Sequence, residues 1–481
     1  MHWIDLVIFV FYMLVMLGVG FYFMRKNTGQ EDYYVGGRSI GAWHIGLSVV
    51  ATDVGGGFSI GLGGLGFALG LSGSWMLFTG LLGAWIAAVL LIPRVKSDAA
   101  FSKFFTFPQI MGHLYNSTTA KVAAIICFLG YLGFTASQLL AGAKLASGTF
   151  EALDISTALL IMGVIAVVYT VMGGLKAVIY TDTVQWIILM LGLMVIGIPM
   201  AYSYVGGWKE IQATLPSEFF SFSNLTWQDL VNWGITIIPI WFVGMTLYQR
   251  IFAAKDTKSA KKAWFIAGLF EWPIMAFMGV SLGLLARVAV EQGILKGASA
   301  SMDPEMGLPI LLSQILPAGI LGLMMSAYFS AVLSTADSCL MAASGNLTTD
   351  LMGKVISKWS HRAEVRISQW ITLAIGAVAL LLAWQMNEVL SLMLYSYAFM
   401  VSGLLVPVIF GLFFNKSNPK AAISSMVMGG GLTAGLTFVN REMPLGLDPN
   451  IFGLLLSLMT FLLIDRLEPQ PKTKTHRYAK I

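Results

Sequence analysis

An aspartate followed almost at once by three glycines, Asp53 and then Gly55, Gly56 and Gly57, lies in the middle of an apolar stretch. That stretch, GAWHIGLSVVATDVGGGFSIGLGGLGFALG, runs from Gly41 to Gly70 and is long enough to cross a bilayer. An ionisable group inside hydrocarbon is costly and marks a pathway or a binding site. Each glycine weakens a helix by about 1 kcal/mol relative to alanine. Together these features point to a helix that breaks inside the membrane and turns its freed carbonyls toward a cation or a solute. Close packing through small residues, with Asp53 protonated, is the competing reading.

A second constellation is AVLSTADS, Ala331 to Ser338. Ala331, Ser334, Thr335 and Ser338 follow the spacing of one helical face, and Asp337 lies on its flank. Hydroxyls, a carboxylate and backbone carbonyls are the oxygen donors that a hard cation takes. Bonds back to the parent helix would account for the hydroxyls, but not for Asp337. In YTVMGGLKAVIYTDTVQW, Tyr169 to Trp186, a tight turn is expected at Gly173 and Gly174. Asp182 follows it a short way into the next span, where an interfacial, water-facing position is the simplest reading. Between Asn232 and Arg250, Pro239 and Gly244 can interrupt a helix, and Trp241 offers an aromatic face to a solute or packs in the bundle. Gln138 and Tyr395 to Tyr397 either line a pocket or bond between helices. Glu271 pairs with a base or stays protonated, and Lys144 is expected to snorkel to the membrane boundary.

The elements that carry these residues are set by composition. The 481 residues are 57% hydrophobic and 11% charged, against about 25% charged in soluble proteins. The chain is therefore read as an all-α polytopic membrane protein with thirteen transmembrane helices. Its spans fall near 4–24, 41–70, 73–93, 121–150, 156–172, 177–204, 230–252, 263–286, 308–346, 365–385, 389–414, 421–439 and 451–464, with a short helix before Pro317. Basic residues such as Arg25, Arg94, Lys258, Arg366 and Arg466 fall on one side of this arrangement, which puts the N-terminus outside and the C-terminus in the cytoplasm of a cell-membrane protein. Residues 1–467 read as one transmembrane domain, and 468–481 as a short basic tail. Two interrupted helices five spans apart suggest an inverted repeat of spans 2–6 and 7–11, about residues 41–205 and 228–414. The net charge of +5 belongs to the loops and is no sign of nucleic-acid binding. Cys127 and Cys339 lie in apolar spans and read as packing residues. A phosphate-cradling loop, zinc spacing, haem motif and nucleophile elbow are all missing, which argues against an enzyme and against ATP hydrolysis.

Five motifs in order, YYVGGRSIG (from Tyr33), ATDVGGG (from Ala51), YTVMGGLKAVIYTDTVQ (from Tyr169), YQRIFAAKD (from Tyr248) and SAVLSTADS (from Ser330), resemble the sodium/solute symporter family of sodium-coupled proline, sialic acid, glucose, pantothenate and choline carriers. The resemblance implies a LeuT-type five-plus-five inverted repeat, alternating access and sodium-driven uptake. It implies a first sodium held by the carbonyls of Ala51, Val54 and Ala331 and the hydroxyls of Ser334 and Thr335. Members with a second sodium resemble this chain at Asp182, Ser334 and Ser338, and Asp337 stands where some have serine; two sodium ions are therefore expected. A small organic solute is expected near Asp53, Gly55, Gly56, Gln138 and Trp241. No arginine is visible in the pocket spans, so a neutral or zwitterionic solute, an amino acid or betaine ahead of a sugar, is the expectation. A sodium/sugar symporter, a proton-coupled carrier and a transporter-like sensor are the alternatives.

Overall fold

The computed structural model describes residues 2–26, 35–53, 55–150, 153–299, 301–356, 361–439 and 443–468. Val54, the start of the YYVGGRSIG motif and nearly all of the basic tail lie outside the described residues. The architecture is helical, with a single isolated bridge, Ile40 to Ala254, among the described residues. The main helices are α1 (Trp3–Lys26), α2 (Ala42–Asp53), α3 (Gly55–Leu69), α4 (Trp75–Lys96), α5 (Ser117–Thr149), α6 (Ile155–Leu191), α7 (Ile198–Tyr204), α8 (Trp227–Val243), α9 (Met245–Ala253), α10 (Thr257–Leu269), α11 (Ala276–Glu291), α12 (Pro304–Ile315), α13 (Ile320–Gly345), α14 (His361–Trp384), α15 (Val389–Phe414), α16 (Pro419–Val439) and α17 (Pro449–Leu467).

Among the described residues nine helices are long and apolar enough to cross a membrane, or ten when the bent pair α8 and α9 counts as one. Thirteen were expected. The count is of the described residues, where α1 enters only as the shorter apolar helix Trp3–Met16 and Ser59–Lys96 enters once. The second expected span is split between α2 and α3, and α3 runs on through the turn Gly70–Ser74 into α4, so that Ser59–Lys96 forms one apolar stretch. The turn expected at Gly173 and Gly174 does not interrupt α6, which is helical from Ile155 to Leu191, with Ile155–Val168 as a shorter apolar helix. Glycine lowers helix propensity without forbidding the helix. The short helix before Pro317 is α12.

The core is built around α13, in which Leu321, Gly322 and every residue from Met324 to Gly345 are buried. It packs against α1, α5 and α6. Its N-terminus is held by α1: the Asp5 carboxylate accepts the N–H groups of Gly319 (2.6 Å) and Gly322 (2.9 Å). These are donors that a helix cannot satisfy internally, and a negative charge suits them. Cys127 and Cys339 are both buried and unpaired.

Lys144 corrects its expectation. It is 1% exposed and does not snorkel. Its amine reaches Asp303 at 2.5 Å and Glu305 at 2.6 Å, both at the start of α12. The Glu305 carboxylate also accepts the N–H groups of Val389 and Leu390, each at 2.9 Å, at the start of α15. The amine thus finds two carboxylates within the protein, and the cluster ties α5, α12 and α15 together.

Candidate cation and solute site

The break in the second span falls where α2 ends at Asp53 and α3 begins at Gly55. Gly55 has φ +48, in the left-handed region that favours glycine. A Cβ there would lie 2.5 Å from Thr335 Oγ1, so the glycine also lets α13 press directly on the break. The Thr335 hydroxyl is 2.8 Å from the Ala51 carbonyl and 3.2 Å from the Ala331 carbonyl, and it donates to either. Ser334 Oγ donates to the same Ala331 carbonyl at 3.2 Å. Four of the five expected first-sodium residues, Ala51, Ala331, Ser334 and Thr335, are thereby gathered at one locus. The fifth, Val54, lies outside the described residues.

The expected second-sodium residues form an adjoining cluster. Asp182 is buried in α6 rather than facing water, and it accepts the Ser48 hydroxyl at 2.6 Å. Ser334 lies beside it and so links the two loci. Asp337 is bonded to Thr170. One oxygen of each acid, Asp182 Oδ1 and Asp337 Oδ2, is buried without a hydrogen-bond partner. Orphaned carboxylate oxygens beside hydroxyls have the donor chemistry of a cation cage.

Arg250 is the group that sequence reasoning placed wrongly. Hydropathy put it at the edge of a loop, and no arginine was expected in the pocket spans. Gly244 instead breaks the span into α8 and α9, bent by 43°, and every residue of α9 is buried. The half-helix carries the Arg250 guanidinium into the core, where it donates to Thr52 (2.5 Å), Ser338 (2.9 Å), Ser48 (3.2 Å) and the Thr246 carbonyl (3.2 Å). It stands 3.9 Å from Asp182. Ser338 is thus brought to the cluster but bound by Arg250. Two carboxylates and one guanidinium leave the cluster with a formal excess of one negative charge.

Of the expected solute residues, Asp53 and Gly55 lie at the break, and Gly56 follows in the first turn of α3. The Tyr397 hydroxyl donates to Asp53 at 3.1 Å, and its ring meets Phe134 edge-on at 5.0 Å. Gln138 is buried, with its amide 3.4 Å from Ser137 Oγ and 3.5 Å from Met393 Sδ. Trp241 fills a notch at Gly83 of α4 and meets Trp264 edge-on at 6.3 Å. Among the described residues Glu271 has no basic partner: its carboxyl lies beside that of Asp53. The signal for Glu271 was present in the sequence, a lone acid beside Trp272 and Pro273 in an apolar run, but hydropathy does not say which way it faces.

The sodium:solute symporter family model matches residues 33–429. The chain belongs to this family. Its members are sodium-coupled membrane transporters, not enzymes. The chain is 27% identical over 479 residues to the osmoregulated proline transporter OpuE of Bacillus subtilis (strain 168), covering 97% of this chain and 95% of that protein. It is 26% identical over 476 residues to a sodium/proline symporter of Staphylococcus aureus (strain JH9), covering 94% and 89%. Its fold is similar to that of a Na+-coupled sialic acid symporter solved in a substrate-bound outward-open state, with TM-score 0.80, 20% identity and 98% and 99% coverage. It is also similar to Mhp1, a nucleobase-cation-symport-1 family transporter solved in a closed conformation with bromovinylhydantoin bound, with TM-score 0.58, 15% identity and 92% and 96% coverage.

Proposed function

We propose that this symporter imports a small neutral or zwitterionic solute of the amino acid or betaine class, driven by sodium and by alternating access. The observation that carries the reading is the meeting of the Gly55 break with Thr335, which collects two carbonyls and two hydroxyls from α2 and α13 at one point. Sodium bound there bridges two elements, so its arrival favours one relative placement of α2 and α13 over another. That differential affinity is what allows an ion gradient to drive a conformational equilibrium. The relatives named for proline transport support the amino acid class.

A second sodium is proposed at Asp182, Asp337, Ser334 and Ser338. Its support is the two orphaned carboxylate oxygens and the single uncompensated negative charge left once Arg250 is counted. Each sodium entering down a membrane potential supplies about 2.3 kcal/mol per 100 mV, so a second ion doubles the electrical driving force. The break at Asp53 to Gly55 and the bend between α8 and α9 support pairing about 41–205 with 228–414 as inverted repeats. The basic loops support an exterior N-terminus, a cytoplasmic C-terminus and residence in the cell membrane.

The test is uptake of labelled proline and of glycine betaine into proteoliposomes under an inward sodium gradient, a proton gradient, or neither. Uptake that requires the sodium gradient supports the reading. Uptake that follows the proton gradient and ignores sodium overturns it.

A further inference from the structure

We infer that Glu271 and Asp53 together form the subsite for a positively charged nitrogen on the transported solute. The inference rests on the symport reading above and narrows its solute to small zwitterions that carry an ammonium or quaternary ammonium group.

Glu271 is fully buried, and both of its carboxyl oxygens are without a hydrogen-bond partner. The acid that it faces, Asp53, accepts the Tyr397 hydroxyl at 3.1 Å and lies within hydrogen-bonding reach of the Glu271 carboxyl. Among the described residues neither acid has an ion-pair partner. Arg250 is engaged by Ser48, Thr52 and Ser338. Two carboxyl groups side by side, away from water, cannot both stay charged without a cation between them, and a cationic nitrogen placed there replaces the proton that they would otherwise share.

The place is built to hold them. Glu271 sits where α10 gives way to α11, in a turn whose Trp272 leaves helical geometry (φ −137, ψ 123). One interrupted span thus presents an acid to the acid of another. Gly80 of α4 makes the room: a Cβ there would lie 2.1 Å from Glu271 Oε2. One turn along the same face of α4, the Trp241 indole occupies the notch at Gly83, and its buried N–H has no partner. The nitrogen is therefore held by Asp53 and Glu271.

The test uses two pairs of shape-matched probes with purified full-length protein in sodium. L-proline is paired with tetrahydrofuran-2-carboxylate, and glycine betaine with 3,3-dimethylbutyrate; the second member of each pair lacks the positive nitrogen. Galactose and N-acetylneuraminate complete the set. Binding is read by thermal shift, whose size follows ligand concentration over Kd. At least one nitrogen-bearing probe is expected to bind, with its nitrogen-free partner at least tenfold weaker. Glu271→Gln should weaken that probe at least tenfold, Glu271→Asp less, and both should keep the wild-type stabilisation by sodium alone to within twofold, which shows that the variants are folded. Equal binding of both members of a pair overturns the inference. So does unchanged binding by Glu271→Gln, or binding of galactose or N-acetylneuraminate with none of the nitrogen-bearing probes. In that last case the sodium symport reading stands. Nitrogen-selective binding that ignores sodium keeps the subsite and overturns the coupling.

Discussion

Thr335→Ala is the perturbation that bears most directly on the first sodium locus. The threonine hydroxyl stands 2.8 Å from the Ala51 carbonyl and 3.2 Å from the Ala331 carbonyl, and Gly55 leaves no space between it and the break. Without sodium the change removes one neutral hydrogen bond, about 1 kcal/mol of stability. With sodium it removes one oxygen ligand from an ion in a low-dielectric interior. Interactions between a polar group and a charge are worth about 1.5–3 kcal/mol, which corresponds to roughly a 10- to 150-fold weaker sodium affinity. The ion-binding loss should therefore exceed the stability loss. The assay is the sodium concentration for half-maximal uptake in proteoliposomes, with the melting temperature measured in parallel without sodium. Thr335→Ser keeps the hydroxyl and should restore most of the affinity. Ser334→Ala should also shift the sodium dependence upward. Unchanged half-saturation in both Thr335→Ala and Ser334→Ala refutes the site.

Gly55→Ala should abolish uptake in protein that still assembles, because a left-handed φ costs a non-glycine residue about 1–2 kcal/mol and the new Cβ would displace Thr335; uptake at the wild-type rate would contradict the proposed contact. Asp182→Asn or Asp337→Asn should lower the number of sodium ions moved per solute, read from the sodium gradient that just balances an opposing solute gradient; an unchanged ratio would remove the second ion. Lys144→Met should destabilise the fold by about 3–5 kcal/mol, since it leaves Asp303 and Glu305 without their counter-charge; a melting temperature within a degree of wild type would show the cluster to be dispensable.

The break at ATDVGGG was legible because composition and charge coincide there, and an Asp followed by glycines has few other uses inside a membrane. The hydroxyl face of α13 was legible because helical periodicity alone brings Ala331, Ser334, Thr335 and Ser338 together. Arg250, Glu271 and Lys144 were not, for a shared reason. Hydropathy reports how deep a residue lies along the membrane normal, not which neighbour its side chain meets. Arg250 needed the bend at Gly244, Glu271 needed the gap at Gly80, and Lys144 needed α12 lying across α5. The expected break between the fifth and sixth spans shows the converse problem. Gly173 and Gly174 read as a turn by propensity, yet a helix absorbs them within α6. Trp241 was singled out for its type, but the notch at Gly83 gives its ring a packing partner whether or not a solute is bound.

Co-transport requires that sodium and solute cross together through the locus shared by α2 and α13. Solute-stimulated entry of radioactive sodium into proteoliposomes tests it most directly. Adding the transported zwitterion is expected to accelerate sodium entry in the wild-type protein, and Thr335→Ala to abolish this acceleration at sodium concentrations that saturate the wild type. Sodium entry at the same rate with and without solute, or an acceleration that Thr335→Ala leaves intact, would contradict it.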